Sequence, residues 1–415
     1  MSHHRFWVVI TLFVILVFSS NTESIAQMDS VLLENILCSD TSQIIQKVMS
    51  NPNLYRLQII YSTVHLDKWN CLQIQHHTFR LREKEYFYPA SLVKLPLALL
   101  VLEWLDKNRL TKELLLQTKA SQICSGGNIK TYNDSTTIAQ YIEKSLVFSD
   151  NRSFNELYEL LGVNYINHTL QQKGYPSAKI FQRIDNCDYL TNLKNDTVIL
   201  RNQKKDTVYF RSLEKSNTDY EVSDAIVGNK LFTNGKYLET GKSFKRSNQL
   251  SLMDLQKMLI GTFYPNALHQ KNRFCLSDRD QKFLINALGK FPNELDSSRF
   301  HKNDSTPNMD FKYLLAGGSG NNFPPSVKIY NKVGLSYGFM EDVSFIIDTQ
   351  QKTGFFLSCV LFANEDGIMN DGQYEYYTVG FPFMKKLGEI ILNYHRNHPL
   401  FANPDTPTVY EPINK

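Results

Sequence analysis

Ser91-Leu92-Val93-Lys94 places a hydroxyl and an amine three residues apart at the head of an apolar run, SLVKLPLALLVLEWL. On a helix those two positions share a face, so the amine can reach the hydroxyl. Serine is a weak nucleophile until a base takes its proton. A lysine can be that base when burial and nearby positive charge hold it neutral. A serine at a helix start also lies near free backbone N–H groups. The pattern predicts attack by Ser91 with Lys94 as its base.

Two further groups fit the same chemistry. Ser149-Asp150-Asn151 follows 58 residues after Ser91, between two helical stretches. A loop there can aim a hydroxyl and an amide into a cleft, although the tripeptide also reads as a helix N-cap. Lys332-Val333-Gly334 opens a set of three strand-like segments, and the small Gly334 would let a substrate lie against the strand edge. Both lysine patterns have competitors. Ser212-Leu213-Glu214-Lys215 repeats the first in a polar region with no apolar helix behind it. Lys352-Thr353-Gly354 sits between IIID and FFLS, where it reads as a hairpin tip with one strand-like segment after it.

The elements that must position these groups follow from hydrophobic periodicity. Residues Asp29 to Ser50 read as a helix. Strand-like stretches start at Leu54 and Leu72. Ser91 to Leu105 is apolar nearly all round, as a core helix is, with Pro96 predicting a local kink or a free Leu92 carbonyl. The pattern stays helical to about residue 190. Residues 191 to 248 are polar, with short β-like pieces, and read as a surface elaboration. Helices resume at Leu250 and Arg279. Three strands then follow (VKIYNKVG, MEDVSFIID, FFLSCVLFA), and a last helix runs from about Phe381 to His395.

This order predicts an α/β fold, an α+β sandwich. An antiparallel sheet is flanked by N- and C-terminal helices, with an inserted all-α lobe. The expected division is 1–26 as a signal peptide, 27–88 with 250–415 as the α/β lobe, and 89–249 as the helical lobe with its elaboration at 191–248.

Composition narrows the classes. The chain has 415 residues, 42% hydrophobic and 21% charged, with net charge +4. No Lys/Arg block tracks phosphates, so nucleic acid is not an expected partner. Phe6 to Phe18 is an apolar run of 13 residues preceded by Arg5, and Ser24-Ile25-Ala26 sets small residues before a cut after Ala26. This reads as a secretory signal, and the run is short of the roughly 20 residues of a spanning helix. The expectation is a periplasmic or secreted monomer without stable membrane insertion after cleavage, an uncleaved anchor being the alternative. Six scattered cysteines lack metal-ligand spacing and read mainly as small buried hydrophobes. No metal and no cofactor are expected.

Taken together, the three groups resemble the S-x-x-K, S-D-N, K-T-G set of class A β-lactamases and penicillin-binding proteins. The resemblance lies in order, spacing and setting, and covers residues 29 to 395. It implies a serine hydrolase acting through an acyl-enzyme on Ser91, with Lys94 taking the proton. Ser149 and Lys332 would pass one to the leaving nitrogen. Asn151, Gly334 and Leu335 would bind substrate, the backbone N–H groups of Ser91 and Leu335 forming the oxyanion hole. Arg183-Ile184-Asp185 matches the family's Arg-x-Glu loop, so Asp185 would activate the deacylating water, although the triplet also reads as a surface salt-bridge loop. Three departures follow. Asp185 is one methylene shorter than Glu, Tyr189 stands where the loop has Asn, and Val333 lacks the hydroxyl that helps bind the substrate carboxylate. The implied substrate is a small β-lactam. A peptidoglycan-directed D-Ala peptidase is the alternative, and a non-catalytic surface binding protein a third.

Overall fold

Three segments after Ser326 carry apolar side chains on both faces, the pattern of strands covered from two sides. They form half of a six-stranded sheet. In this computed structural model, residues 28–66, 72–118, 136–184, 187–295, 311–317 and 323–398 are described. The signal-like segment, Cys71, Cys124 and Asp185 lie outside them.

The chain opens with β1 (Met28–Asp29), α1 (Val31–Cys38) and α2 (Gln43–Ser50). The single helix expected over Asp29 to Ser50 is thus two. Ser39 to Ser42 break it: Ser39 Oγ donates to the Ile36 carbonyl and the Ser42 N–H to Asp40 Oδ1, local bonds that compete with helix. Strands β2 (Gln58–Leu66) and β3 (Leu72–Phe79) follow. A 3₁₀ turn (Ala90–Val93) then passes into α3 (Lys94–Lys107). The change of helix type falls at Lys94, two residues before Pro96. Pro96 falls in the first α turn, where its missing N–H has no helical partner to lose.

The next region holds β4 (Leu115–Gln117), α4 (Ile138–Val147), α5 (Asn151–Leu161), α6 (Val163–Gln172) and α7 (Tyr189–Asn192). Residues 194–243 carry eight short strands: β5 (Lys194–Asn195), β6 (Val198–Arg201), β7 (Thr207–Arg211), β8 (Glu214–Lys215), β9 (Ile226–Val227), β10 (Lys230–Thr233), β11 (Lys236–Leu238) and β12 (Lys242–Ser243). Because β4 pairs with β6, the helical lobe is not all-α. Nor is the elaboration wholly superficial: Val198, Leu200, Val222, Val227 and Phe244 are buried in the same apolar core as α3. Alternation hid them, since each short strand buries only every second residue. The chain closes with α8 (Leu252–Phe263), α9 (Asp278–Gly289), β13 (Val327–Ser336), β14 (Phe339–Asp348), β15 (Thr353–Phe362), β16 (Ile368–Met369) and α10 (Phe381–Asn397).

The main sheet runs β1-β3-β2-β15-β14-β13 and is antiparallel except for the short β1–β3 pairing. N- and C-terminal halves meet where β2 pairs with β15. One face packs on α1, α2 and α10 through Leu33, Val48, Leu387 and Ile391. The other packs on α3 and α8 through Leu95, Leu99, Leu255 and Leu259. Strand β13 is the edge, with a partner on one side among the described residues. Among the described cysteines, Cys359 fits the buried-hydrophobe reading; Cys38 and Cys275 are free and exposed, and Cys187 is disulfide-bonded.

Candidate active site

The 3₁₀ turn and helix α3 are buried on all sides from Leu92 to Leu105, which fixes Lys94 in the molecule's interior. Its Nζ lies 2.7 Å from Ser91 Oγ, 2.5 Å from the Ser149 carbonyl, 2.7 Å from Asn151 Oδ1 and 3.2 Å from Ser149 Oγ. Burial holds Lys94 well below the ordinary lysine range, and the charge of Lys332 pushes the same way, against Asp150. A neutral amine has two N–H bonds and one lone pair. The Ser149 carbonyl and Asn151 Oδ1 can accept the two N–H bonds, which leaves the lone pair for the Ser91 hydroxyl.

Ser149 lies between α4 and α5 with a positive φ of 55°. Asp150 is the N-cap of α5, its carboxylate accepting from the Ser153 N–H at 2.7 Å. The cap reading and the site reading are therefore both true of one tripeptide: Asp150 anchors the turn while its two neighbours reach Lys94. Such a cap contributes about 1 kcal/mol.

Lys332 reaches in from β13. Its Nζ donates to Ser149 Oγ at 2.9 Å and to the Val333 carbonyl at 3.1 Å. Burial brings its pKa down to about 7, with Asp342 opposing and Lys312 assisting. Lys94, Ser149 and Lys332 thus form one hydrogen-bonded chain from Ser91 to the edge strand.

Strand alternation separates the neighbours of Lys332. Val333 is 4% exposed and packs in the core on the α10 face. Gly334 returns to the helical side, but the space beside it is filled. A Cβ there would stand 2.2 Å from Glu341 Oε2 and 3.1 Å from the Pro89 carbonyl. The small size of Gly334 lets the Pro89–Ser91 turn pack on β13. Leu335, next along, is 40% exposed at the sheet edge.

Arg183 is 1% exposed and forms a buried ion pair with Glu159, also donating to the Thr191 carbonyl at 3.0 Å and the Lys194 carbonyl at 2.5 Å. It is an interior anchor for its loop, which overturns the surface salt-bridge reading. Asp185, expected to activate water, is outside the described residues. Tyr189 starts α7 and donates to Asp219 Oδ1 at 2.8 Å.

Sequence reasoning missed three buried charges behind Lys332. Asp342 accepts from the Tyr313 and Leu314 N–H groups and from Asn331 Nδ2. Lys312 donates to Asn331 Oδ1 at 3.0 Å and to the Ile329 carbonyl at 2.8 Å. Glu341 is wholly buried, and neither of its oxygens has a hydrogen-bond partner among the described residues; burial raises its pKa well above the usual range. The one available signal was the acidic pair inside the apolar run MEDVSFIID.

Residues 43–225 match the family model described as "Beta-lactamase enzyme family". Among solved structures, PBP-A as an acyl-enzyme complex with penicillin G is similar at 14% identity and a TM-score of 0.50, over 90% of this chain and 99% of that one. A second structure of PBP-A is similar at 14% identity and a TM-score of 0.50, over 88% of this chain and 97% of that one. A β-lactamase from Sphaerobacter thermophilus gives 12% identity and a TM-score of 0.48, over 88% and 98%. No curated protein matches the chain by sequence.

Proposed function

We propose that this chain, which has the β-lactamase-like serine hydrolase fold, opens β-lactams through an acyl-enzyme on Ser91. The observation that carries this is the buried Lys94 amine, 2.7 Å from Ser91 Oγ, with separate acceptors for its N–H bonds. Ser91 Oγ attacks the carbonyl carbon as its proton passes to the Lys94 lone pair. The backbone N–H groups of Ser91 and Leu335 receive the developing oxyanion, a device worth about 3–4 kcal/mol per donor. When the C–N bond breaks, Ser149 Oγ gives its proton to the leaving nitrogen and is resupplied along its contacts with Lys94 and Lys332. Asn151 offers its amide N–H to the acylamino group of the substrate. Asp185 delivers the water that frees Ser91. No metal or organic cofactor enters. The setting for such work is the periplasm or the cell exterior, after removal of residues 1–26.

A second reading has its own support. Val333 lies in the core and offers no hydroxyl to a substrate carboxylate. Loss of one charge-assisted bond costs roughly 1.5–3 kcal/mol, which weakens the hold on a β-lactam; the second reading is a D-Ala peptidase of the same fold that β-lactams acylate and do not leave. Intact-protein mass spectrometry with a penicillin, followed over time beside Ser91→Ala, separates the two. An adduct that forms and decays supports the hydrolase, and one that persists supports the peptidase. No adduct on folded wild-type protein removes both.

A further inference from the structure

We propose that Lys242, carried by the insertion between α7 and α8, binds a carboxylate on the acyl half of the substrate. This rests on Ser91 being the acylated residue and deepens that reading by naming a substrate class.

The insertion is docked where it can serve the cleft. Strand β10 pairs in parallel with β16, and the Asn229 N–H donates to the Gly367 carbonyl at 3.0 Å, which ties the insertion to the segment after β15. Strand β12, which starts at Lys242, pairs with β9. Gly241 permits that approach, since a Cβ there would stand 2.5 Å from the Gly228 carbonyl. Phe244, 1% exposed, packs against Tyr86, Tyr88 and Tyr337 at ring distances of 5.5, 5.3 and 5.4 Å. Tyr88 precedes Ser91 by three residues and Tyr337 directly follows β13, so this aromatic wall joins the nucleophile's turn to the end of the edge strand.

Lys242 stands on that wall. Its Nζ is 4.7 Å from the Tyr337 ring centroid and 5.6 Å from that of Phe244. It is half-buried, and no carboxylate among the described residues lies within ion-pair distance of it. Burial alone lowers its pKa, with no neighbouring charge contributing. A half-buried cation held over ring faces and left without a counter-ion is a ready anion site.

Position along β13 decides which half of the substrate it meets. Lys332 with Ser149 marks the leaving nitrogen. From Lys332 the strand runs past Gly334, against the Ser91 turn, to Tyr337, five residues or roughly 17 Å away. A group at the Tyr337 end therefore faces the half that stays on Ser91, and a carboxylate on the leaving half is out of its reach.

The test uses Ser91→Ala protein and calorimetry with N-succinyl-D-alanyl-D-alanine and N-butyryl-D-alanyl-D-alanine, which differ by one carboxylate at the acyl end. The succinyl peptide is expected to bind about tenfold more tightly, the worth of one charge-assisted contact. Adding Lys242→Met should bring the ratio near one, and Lys242→Arg should keep it. On wild type, the ratio of acylation rates by α-carboxybenzylpenicillin and benzylpenicillin should respond to the same two substitutions. Equal binding of the peptides, no binding, or a ratio that survives Lys242→Met overturns the proposal. No adduct from either penicillin, with the succinyl preference present and lost in Lys242→Met, removes the β-lactam reading and upholds the carboxylate site.

Discussion

The four-residue pattern S-x-x-K occurs at Ser91–Lys94 and again at Ser212–Lys215, and the structure gives the copies opposite settings. The first lies where a 3₁₀ turn enters a buried helix, with Lys94 1% exposed and bonded to Ser91. The second follows β7 and ends in β8, with Ser212 and Lys215 exposed and Leu213 62% exposed. In extended backbone, residues three apart point to opposite faces, so Lys215 is not directed at Ser212. The letters are shared; desolvation and helical geometry are not, and these make an amine into a base.

Paired substitutions can break the comparison. The largest effect is expected from Ser91→Ala, a loss on the order of 10⁶ in acylation rate, against no change for Ser212→Ala, both read by mass spectrometry of the penicillin adduct. Equal effects would end the assignment of Ser91. Lys94→Ala should cost about 10²–10⁴, the range of a positioned general base, and Lys215→Ala nothing, in stopped-flow acylation. For the scaffold, Leu99→Ala, in a position 1% exposed, should lose about 2–5 kcal/mol by cavity formation. Leu213→Ala should stay within about 0.5 kcal/mol, both by urea unfolding.

The smallest effect concerns protons. Acylation should rise with pH as Lys94 becomes neutral, and Lys332→Met should move that limb to higher pH, because a nearby charge that helped expel the Lys94 proton is gone. An unmoved limb in a folded variant would remove Lys332 from the tuning of Lys94. Stability has a definite sign as well. The folded pKa of Lys332, about 7, lies below the ordinary 10.5. Between those values the unfolded chain binds more protons, so stability should rise with pH, and less steeply in Lys332→Met.

Much of this was legible in the sequence because its signals were long or repeated. The apolar run behind Ser91 marked a buried helix, and three strand-length apolar segments marked β13 to β15. Those two facts located Lys94 and Lys332 and dismissed Ser212 and Lys352, which indeed sits in the β14–β15 turn with a positive φ of 52°. What stayed hidden depends on partners distant in sequence. Glu341 and Asp342 read as one acidic pair, yet the pleat sends them to opposite faces, one without a hydrogen-bond partner among the described residues and the other into four hydrogen bonds. Lys242 resembles every other lysine of the insertion until the folded chain brings Tyr337 beneath it. The break between α1 and α2 turned on side-chain bonds of Ser39 and Asp40, which periodicity does not register.

The pairing of β2 with β15 joins residues almost three hundred positions apart, Thr63 with Phe355, and β10 waits in the same way for β16. Such contacts close very long loops before they return any stabilisation, and folding slows accordingly. A ribosome releasing this chain from its N-terminus would complete Ser91, Lys94 and Ser149 long before the strand that seats Lys332 exists. Ser91, Lys94 and Ser149 therefore stay without Lys332 beside them until β13 has been made.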